Sequence, residues 1–330
     1  MIRVCIAGNS GHAATVTRAL PKLPQVEIAG WCRTWDGEPM TEVLEDFEKL
    51  GLTPPEYPDY KTMVETVRPD VLVVDGQFGD HAEMTIWALE QGLHVYCDKP
   101  LALSIEELER VRAAAEAAPG LLWAMQTARY DPWFYTAKRL IDGGAVGEIR
   151  LLSAQKSYRL GTRADFFRER ARQGGLIPWV AIHGIDFIRY LCPLPAETVF
   201  ASHSTVGNGG YGELEATSQL MMTMQGGVSA QVSADYLRPA NAPTHGDDRV
   251  RVVGTKGVLE VRDDKVWLIA ADHDGLTPEP IQPVPSIFED FIHTLEGHGL
   301  GLLDLAESFE DSRLALMARD AADAGRLLKL

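Results

Sequence analysis

Val71-Leu72-Val73-Val74 is apolar at every position and is bounded by two aspartates, Asp70 and Asp75. A strand with one wet face alternates polar and apolar residues. A strand that does not alternate must be covered on both faces, which leaves few architectures open. Ile2–Ala7, Val26–Cys32 and His94–Cys97 read as strands of the same sheet. Helical segments separate them. One covers about residues 11–20, one carries Ile86 and Leu89 and ends at Gly92, and one opens with the capping pattern Ser104-Ile105-Glu106-Glu107. Buried strands alternating with helices predict a parallel sheet between helical layers, an α/β Rossmann domain.

The pattern changes after Leu121–Gln126. A helix over about 133–143 and a strand over 149–158 precede a helical stretch holding His183. Alternating segments then run over about 198–206, 216–225, 228–236, 248–253, 257–261 and 266–270, with Gly226-Gly227 as a hairpin turn. Helical periodicity returns over 287–295 and 303–328. This predicts an α+β domain with a large open, mainly antiparallel sheet. A chain of 330 residues exceeds what one hydrophobic core usually holds. The expected division is a dinucleotide-binding domain over residues 1–126 and a substrate and oligomerisation domain over 127–330. The last helices are free to pack back on the first domain.

The formal charge of −16 is spread along the chain and argues against nucleic acid and anionic membranes, which bind a basic face. No apolar run reaches membrane-spanning length, and a strand is expected at the N-terminus in place of a signal peptide. Cys5, Cys32, Cys97 and Cys192 lack paired metal-ligand spacing. Buried free thiols in a reducing cytoplasm are expected, and no catalytic metal.

Between the first strand and its helix lies Gly8-Asn9-Ser10-Gly11-His12-Ala13. In a Rossmann turn the first glycine allows the bend, the second admits the pyrophosphate and the third lets the helix pack closely. Gly8 fills the first place, Ser10 the second and Ala13 the third, with Gly11 and His12 in the loop between. The motif is degraded but correctly placed before a helix N-terminus. The second strand of such domains usually ends on an acid for the NAD ribose. That place falls on Arg33, which suits the 2′-phosphate of NADP. On Arg33, NADP is slightly favoured over NAD. If Arg33 is only solvated, Asp36 or Glu38 would reach the ribose.

Val95-Tyr96-Cys97-Asp98-Lys99-Pro100 ends a buried strand on a lysine held before a proline. Asp98-Lys99-Pro100, followed by Leu101-Ala102-Leu103, resembles the Glu-Lys-Pro motif of the Gfo/Idh/MocA family, the glucose–fructose oxidoreductase and inositol dehydrogenase group. The likeness covers nearly the whole chain. Asp70 to His81 resembles the family's nucleotide-contacting segment, which adds Gly76 and His81 to the cofactor residues along with Asp98 and Lys99. Arg129-Tyr130-Asp131-Pro132 is similar to the arginine-containing start of the second domain. Gly174-Gly175 with His183 and Asp186 resembles the catalytic helix, and Gly254-Thr255-Lys256-Gly257 a late sheet turn. Two departures stand out. Gly76-Gln77, preceded by Asp75, replaces the usual Thr-Pro pair. Trp179 stands where many members have an aspartate four residues before the histidine.

The resemblance implies an NAD(P)-dependent oxidoreductase acting on a sugar, polyol or related hydroxy or keto compound. Oxidising a secondary alcohol needs hydride departure and loss of the hydroxyl proton. His183 is the expected proton carrier, and Asp186, three residues on, either orients it or serves as a cap or salt-bridge partner. Lys99 is expected to donate to the substrate hydroxyl and the nicotinamide ribose. Arg129, Lys156, Tyr158 and Trp179 are the candidate substrate contacts. One of Arg159, Arg163, Arg168, Arg170 and Arg172 could clamp an anionic substrate group. The alternative is a nucleotide-binding member without catalysis, acting as sensor or scaffold, to which Trp179 points. Leu220, Met222, Met224, Val228, Ala230 and Val232 suggest a surplus of apolar residues on the second sheet. A homodimer or homotetramer through that sheet is expected.

Overall fold

The apolar runs lie side by side. In the computed structural model, which describes all residues from Met1 to Leu330, six strands form the first sheet. They are β1 (Ile2–Ala7), β2 (Val26–Cys32), β3 (Glu56–Tyr57), β4 (Val71–Val74), β5 (His94–Cys97) and β6 (Leu122–Ala124). Their order is β3-β2-β1-β4-β5-β6, and every pairing is parallel. The crossovers contain α1 (Ala14–Ala19), α2 (Thr41–Leu50), α3 (Tyr60–Val67), α4 (His81–Glu90) and α5 (Ile105–Ala117). Val71 to Val74 are completely buried, as the lack of alternation requires. The strand order reverses between β1 and β4, and such a switch point is where open α/β sheets bind ligands. α1 starts at Ala14 because Gly11 to Ala13 belong to the turn. At α5 the Ser104 hydroxyl accepts the Glu107 N–H, but the Glu107 carboxylate takes the N–H of Leu103 rather than that of Ser104.

The chain divides into two compact units, Met1–Gln126 with Pro285–Ser312, and Thr127–Val284 with Arg313–Leu330. The second contains α6 (Pro132–Asp142), β7 (Ile149–Tyr158), α7 (Arg170–Gln173), α8 (Ile182–Leu191), β8 (Ala196–Ser204), β9 (Thr217–Met224) and β10 (Val228–Asp235). It continues with β11 (Gly246–Gly254), β12 (Val258–Arg262), β13 (Lys265–Ala270) and β14 (His273–Asp274). These strands join a nine-stranded sheet in the order β14-β13-β12-β11-β7-β10-β9-β8-β15, where β15 is Leu328–Lys329. β7 and β10 pair in parallel; the chain leaves β7 through α7 and α8 and returns by a long crossover. The other pairings are antiparallel. The helical segment expected to reach 328 ends at Ala324, and β15 then pairs with β8.

Alternation sorts the second sheet into two faces. Leu220, Met222, Met224, Val228, Ala230 and Val232 are all buried on one of them, the face against which α8 packs. They therefore supply no apolar surplus, contrary to the expectation built on them. The opposite alternation of β9 and β10 is Gln219, Met221 and Thr223 with Ser229, Gln231 and Ser233. The exposed large apolar residues on the strands of this sheet include Leu151, Phe200, Met221 and Ile269.

The first unit is completed by α9 (Ile287–Leu295) and by α10 (Leu305–Ala324) as far as Ser312. A full capping box starts α9: Ser286 Oγ accepts the Glu289 N–H, and the Glu289 carboxylate accepts the Ser286 N–H. Phe288 and Phe291 pack on Tyr96 with ring centroids 5.2 Å away in both cases, and Phe291 lies 5.5 Å from Trp123. Each such phenylalanine stabilises the fold by about 3 kcal/mol through burial.

Candidate functional site

The first unit gathers its predicted residues at the carboxyl ends of β1, β2, β4 and β5. Gly8 has φ +90°, and a Cβ there would stand 2.4 Å from the Asp75 carbonyl oxygen. Only glycine permits that conformation and that approach. The Gly8 N–H bonds the Cys32 carbonyl at 3.0 Å, and the Ser10 N–H bonds the Asp75 carbonyl at 2.8 Å. The turn is thus tied to the strands on both sides of β1. Glu38 tightens it further. Its buried carboxylate accepts the Asn9 N–H, the Ser10 hydroxyl, the Thr34 N–H and the Thr34 hydroxyl at 2.7 to 3.0 Å. Glu38 therefore holds the turn and the loop after β2 together, a use that its loop position in the sequence does not reveal.

Asp98 is completely buried. Its Oδ1 meets His12 Nδ1 at 2.9 Å and accepts the Lys99 N–H at 2.9 Å. Beside it Asp75 accepts the Ala13 N–H at 2.6 Å. Burial, with the Asp98 charge next, holds the Asp75 carboxyl well above the usual carboxylate range, against the pull of the Ala13 N–H. Burial pushes Asp98 up too, but His12 and then Lys99 outweigh it and hold Asp98 low. His81 is buried with its two ring nitrogens on the carbonyl oxygens of Pro100 (2.9 Å) and Gly76 (3.1 Å). It braces the loops after β4 and β5. Gly76 sits against Thr34. Lys99 follows at the end of β5, buried, with a cis peptide to Pro100.

Arg33 donates through Nε to the Glu38 carbonyl at 2.9 Å, pairs with Glu56 and lies over the Trp31 ring at 5.2 Å. It borders a cavity of about 640 Å³ that Asp36, Glu56, Asp59, Asp80 and Glu83 also line. That lining carries an excess of negative charge.

In the second unit a π-helical turn, Ile177–Ala181, leads into α8. His183 lies in the first turn of α8 and is 1% exposed. The helix lies directly on β10: a Cβ on Gly184 would come 2.3 Å from Val232 Cγ1. Asp186 Oδ1 receives the Nε–H of Arg129 at 2.5 Å, and both side chains are enclosed. Arg129 also covers the Tyr190 ring at 5.3 Å. The two residues form a buried ion pair. Trp179 is buried, its ring edge-to-face with Phe167 at 6.3 Å between centroids, and it hydrogen-bonds the Tyr236 side chain. Arg163 stacks over Tyr236, while Arg170 pairs with Glu215 and Asp323, so these two of the five arginines are engaged locally.

Lys156 and Tyr158 come together on β7. Lys156 Nζ bonds Asp248 at 2.5 Å and lies 4.8 Å from the Tyr158 ring. Burial pushes the Lys156 ammonium down, but Tyr158 and Asp248 outweigh it and hold it up. Both residues line a cavity of about 440 Å³ with Arg238, Asp247, Asp248 and Asp264. Asp131, next to Arg129-Tyr130, has its carboxyl pushed up to about 7 by burial, with Lys156 opposing and Asp248 and Asp264 adding to the shift. Sequence reasoning passed over Asp131 and Asp248, although Asp131 lies within the quoted Arg129–Pro132 segment. Elsewhere in the first unit, His293, Glu296 and His298 bring possible ligand atoms within 4.8 Å at the end of α9.

Two family models match. Residues 2–125 match the oxidoreductase family with an NAD-binding Rossmann fold, and residues 134–260 match the GFO/IDH/MocA C-terminal domain. The chain is 28% identical over 202 residues to the uncharacterized oxidoreductase YrbE of Bacillus subtilis. It is 26% identical over 211 residues to myo-inositol 2-dehydrogenase of Thermotoga maritima. The matches cover 60% and 64% of this chain and only 57% and 61% of those relatives. A solved structure of an oxidoreductase from Thermotoga maritima superposes with a TM-score of 0.96 at 36% identity over all of both chains.

Proposed function

Since this chain belongs to the Gfo/Idh/MocA oxidoreductase family, with an NAD-binding Rossmann domain ahead of the family's C-terminal domain, we propose that it moves a hydride between NAD and a secondary alcohol of a sugar or polyol. The observation that carries this is the setting of Lys99. It is buried at the carboxyl end of a parallel strand, and its neighbour Asp98 anchors the dinucleotide turn through His12. The turn fits a dinucleotide. Gly8 and Gly11 let it lie flat on the ends of β4 and β5, since a Cβ at either position would come within 2.4 Å of the Asp75 carbonyl oxygen or 1.7 Å of Asp98 Oδ2. When bound, the nicotinamide accepts or supplies the hydride.

The side chains manage the proton and the charge. Lys99 donates to the substrate oxygen and stabilises its alkoxide character. His183 takes the hydroxyl proton, or returns it in the reverse direction. Lys156, Tyr158, Asp248 and Arg238 offer the mixed donors and acceptors that a polyhydroxylated substrate needs. NAD is favoured over NADP, against the preference that Arg33 suggests in isolation. Its guanidinium already serves Glu56 and the Glu38 carbonyl, and five carboxylates share its cavity. A 2′-phosphate would meet that negative charge. We further propose that the outer face of the second sheet joins copies of the chain as a homodimer or homotetramer. The four buried free thiols fit a reducing, cytoplasmic setting.

The test is NADH formation across a panel of inositols, sugars and other polyols. Turnover is expected with at least one class. Lys99→Ala and His183→Ala should each lower it by at least about 100-fold, with NADH affinity little changed for His183→Ala. Tight NADH binding with no turnover across the panel favours the sensor instead.

A further inference from the structure

The pairing of Val74 with Cys97 puts the two residues that follow, Asp75 and Asp98, side by side, and neither exposes any surface. One oxygen of each is accounted for. Asp75 Oδ2 takes the Ala13 N–H, and Asp98 Oδ1 takes His12 and the Lys99 N–H. The other two, Asp75 Oδ1 and Asp98 Oδ2, are enclosed and receive no hydrogen bond. Both lie against Gly11: a Cβ built there would stand 2.9 Å from the first and 1.7 Å from the second. One proton resolves this arrangement by making one carboxyl a donor to the other. Two full charges so close together and out of water would be very costly.

We propose that Asp75 and Asp98 act as one monoprotonated carboxyl pair that latches the Gly8–Ala13 turn, and that the shared proton is needed for tight dinucleotide binding. The proposal rests on the dinucleotide reading of that turn. The two are positioning residues, since each touches the turn rather than the substrate. The electrostatics assign the proton to Asp75: burial and the Asp98 charge favour its neutral form, while His12 and Lys99 keep Asp98 ionised despite burial. The titratable groups that face the pair are His12 in the turn, Glu38 after β2, His81 at the start of α4, and Tyr96, Cys97 and Lys99 on and after β5. Loss of the proton sets a second negative charge beneath the loop that must approach a pyrophosphate.

Asp75→Asn separates the proton from its titration. Its amide oxygen accepts the Ala13 N–H and its NH₂ donates to Asp98, at every pH. The NADH dissociation constant and the thermal midpoint are measured for both proteins from neutral to alkaline pH. Wherever the wild type keeps the shared proton the two should bind NADH alike. As rising pH removes that proton, the wild type should weaken, by about tenfold for each unit beyond its loss, while the variant stays flat. The midpoints should diverge with a defined sign. Folded Asp75 keeps a proton that the unfolded chain has lost, so wild-type stability falls as pH rises, and the variant lacks that slope. Asp98→Asn supplies the single proton from the other side and should also lose the alkaline weakening. Superimposable binding profiles of wild type and variants overturn the latch, whether flat or sloping. So does a difference confined to the midpoints, which would leave the pair without a role in binding. A wild type that binds no NADH at any pH refutes the dinucleotide reading and the latch's role in binding, while the midpoints still report whether Asp75 holds the proton.

Discussion

At the scale of single residues, the site depends on polar groups whose partners come from distant segments. Arg33 is a clear case. Next to Glu56 and above Trp31 it is a structural cation. On the proposed preference for NAD, Arg33→Ala should leave NADH affinity within about threefold and should not weaken NADPH selectively. Fluorescence titration with both cofactors checks this; a loss confined to NADPH assigns Arg33 to the phosphate. Asp131 gives a pH signature. Its carboxyl titrates at about 7 when folded, against an ordinary value of 3.8. Between those values the folded chain binds more protons than the unfolded one. The contribution is complete below the ordinary value and is lost as pH rises through the folded one, by up to about 1.4 kcal/mol per unit. Asp131→Asn should flatten that part of the stability profile, measured by urea unfolding from pH 4 to 8. The Arg129–Asp186 pair is enclosed. Asp186→Asn should destabilise the fold in the same measurement by about 3 kcal/mol, since it removes the charge from one side of a buried ion pair.

At the scale of elements, the sequence was most legible where a single periodicity decides. Val71 to Val74 could only be a doubly covered strand, and β1, β2 and β5 were read in the same way. Gly8 and the Lys99 strand end could be placed because turn chemistry and strand direction are local properties. The sequence offers Glu38 for the ribose and marks Asp75 only as a strand-end acid; their roles in holding the turn are not legible there, because tertiary structure brings them their partners. Asp75 did carry a usable signal, an acid closing an apolar strand next to the switch point. The six apolar residues of β9 and β10 misled for a different reason. Their alternation is visible in the sequence, but which alternation faces inward is decided by the packing of α8 on the sheet. α9 shows how a remote element completes a domain. Its Phe291 touches Tyr96 and Trp123, more than 160 residues earlier in the chain. Phe291→Ala should destabilise the first unit by about 3–5 kcal/mol, and Ser286→Ala by about 1 kcal/mol through the lost cap. Calorimetry distinguishes the two magnitudes.

At the scale of the whole molecule, the proposed assembly would use a face that is polar overall but carries Leu151, Phe200, Met221 and Ile269, exposed by 41%, 44%, 57% and 56%. Aligned on neighbouring strands β8 and β9, Phe200 and Met221 are direct cross-strand partners. Met221→Asp should convert the proposed oligomer to monomer at micromolar concentration, read by light scattering. A wild type that is already monomeric removes the interface. The same chain also contains its own clock. Cys5, Cys32 and Cys97 line the strands of the first sheet, Cys192 follows α8 in the second unit, and all four are buried. Burial pushes the Cys5 thiol up to about 12, so in the closed state it is both shielded and chemically quiet. A thiol-alkylating reagent can therefore mark only molecules that have opened. Three sulfur atoms record each breathing of the first sheet, and a single one records that of the second unit.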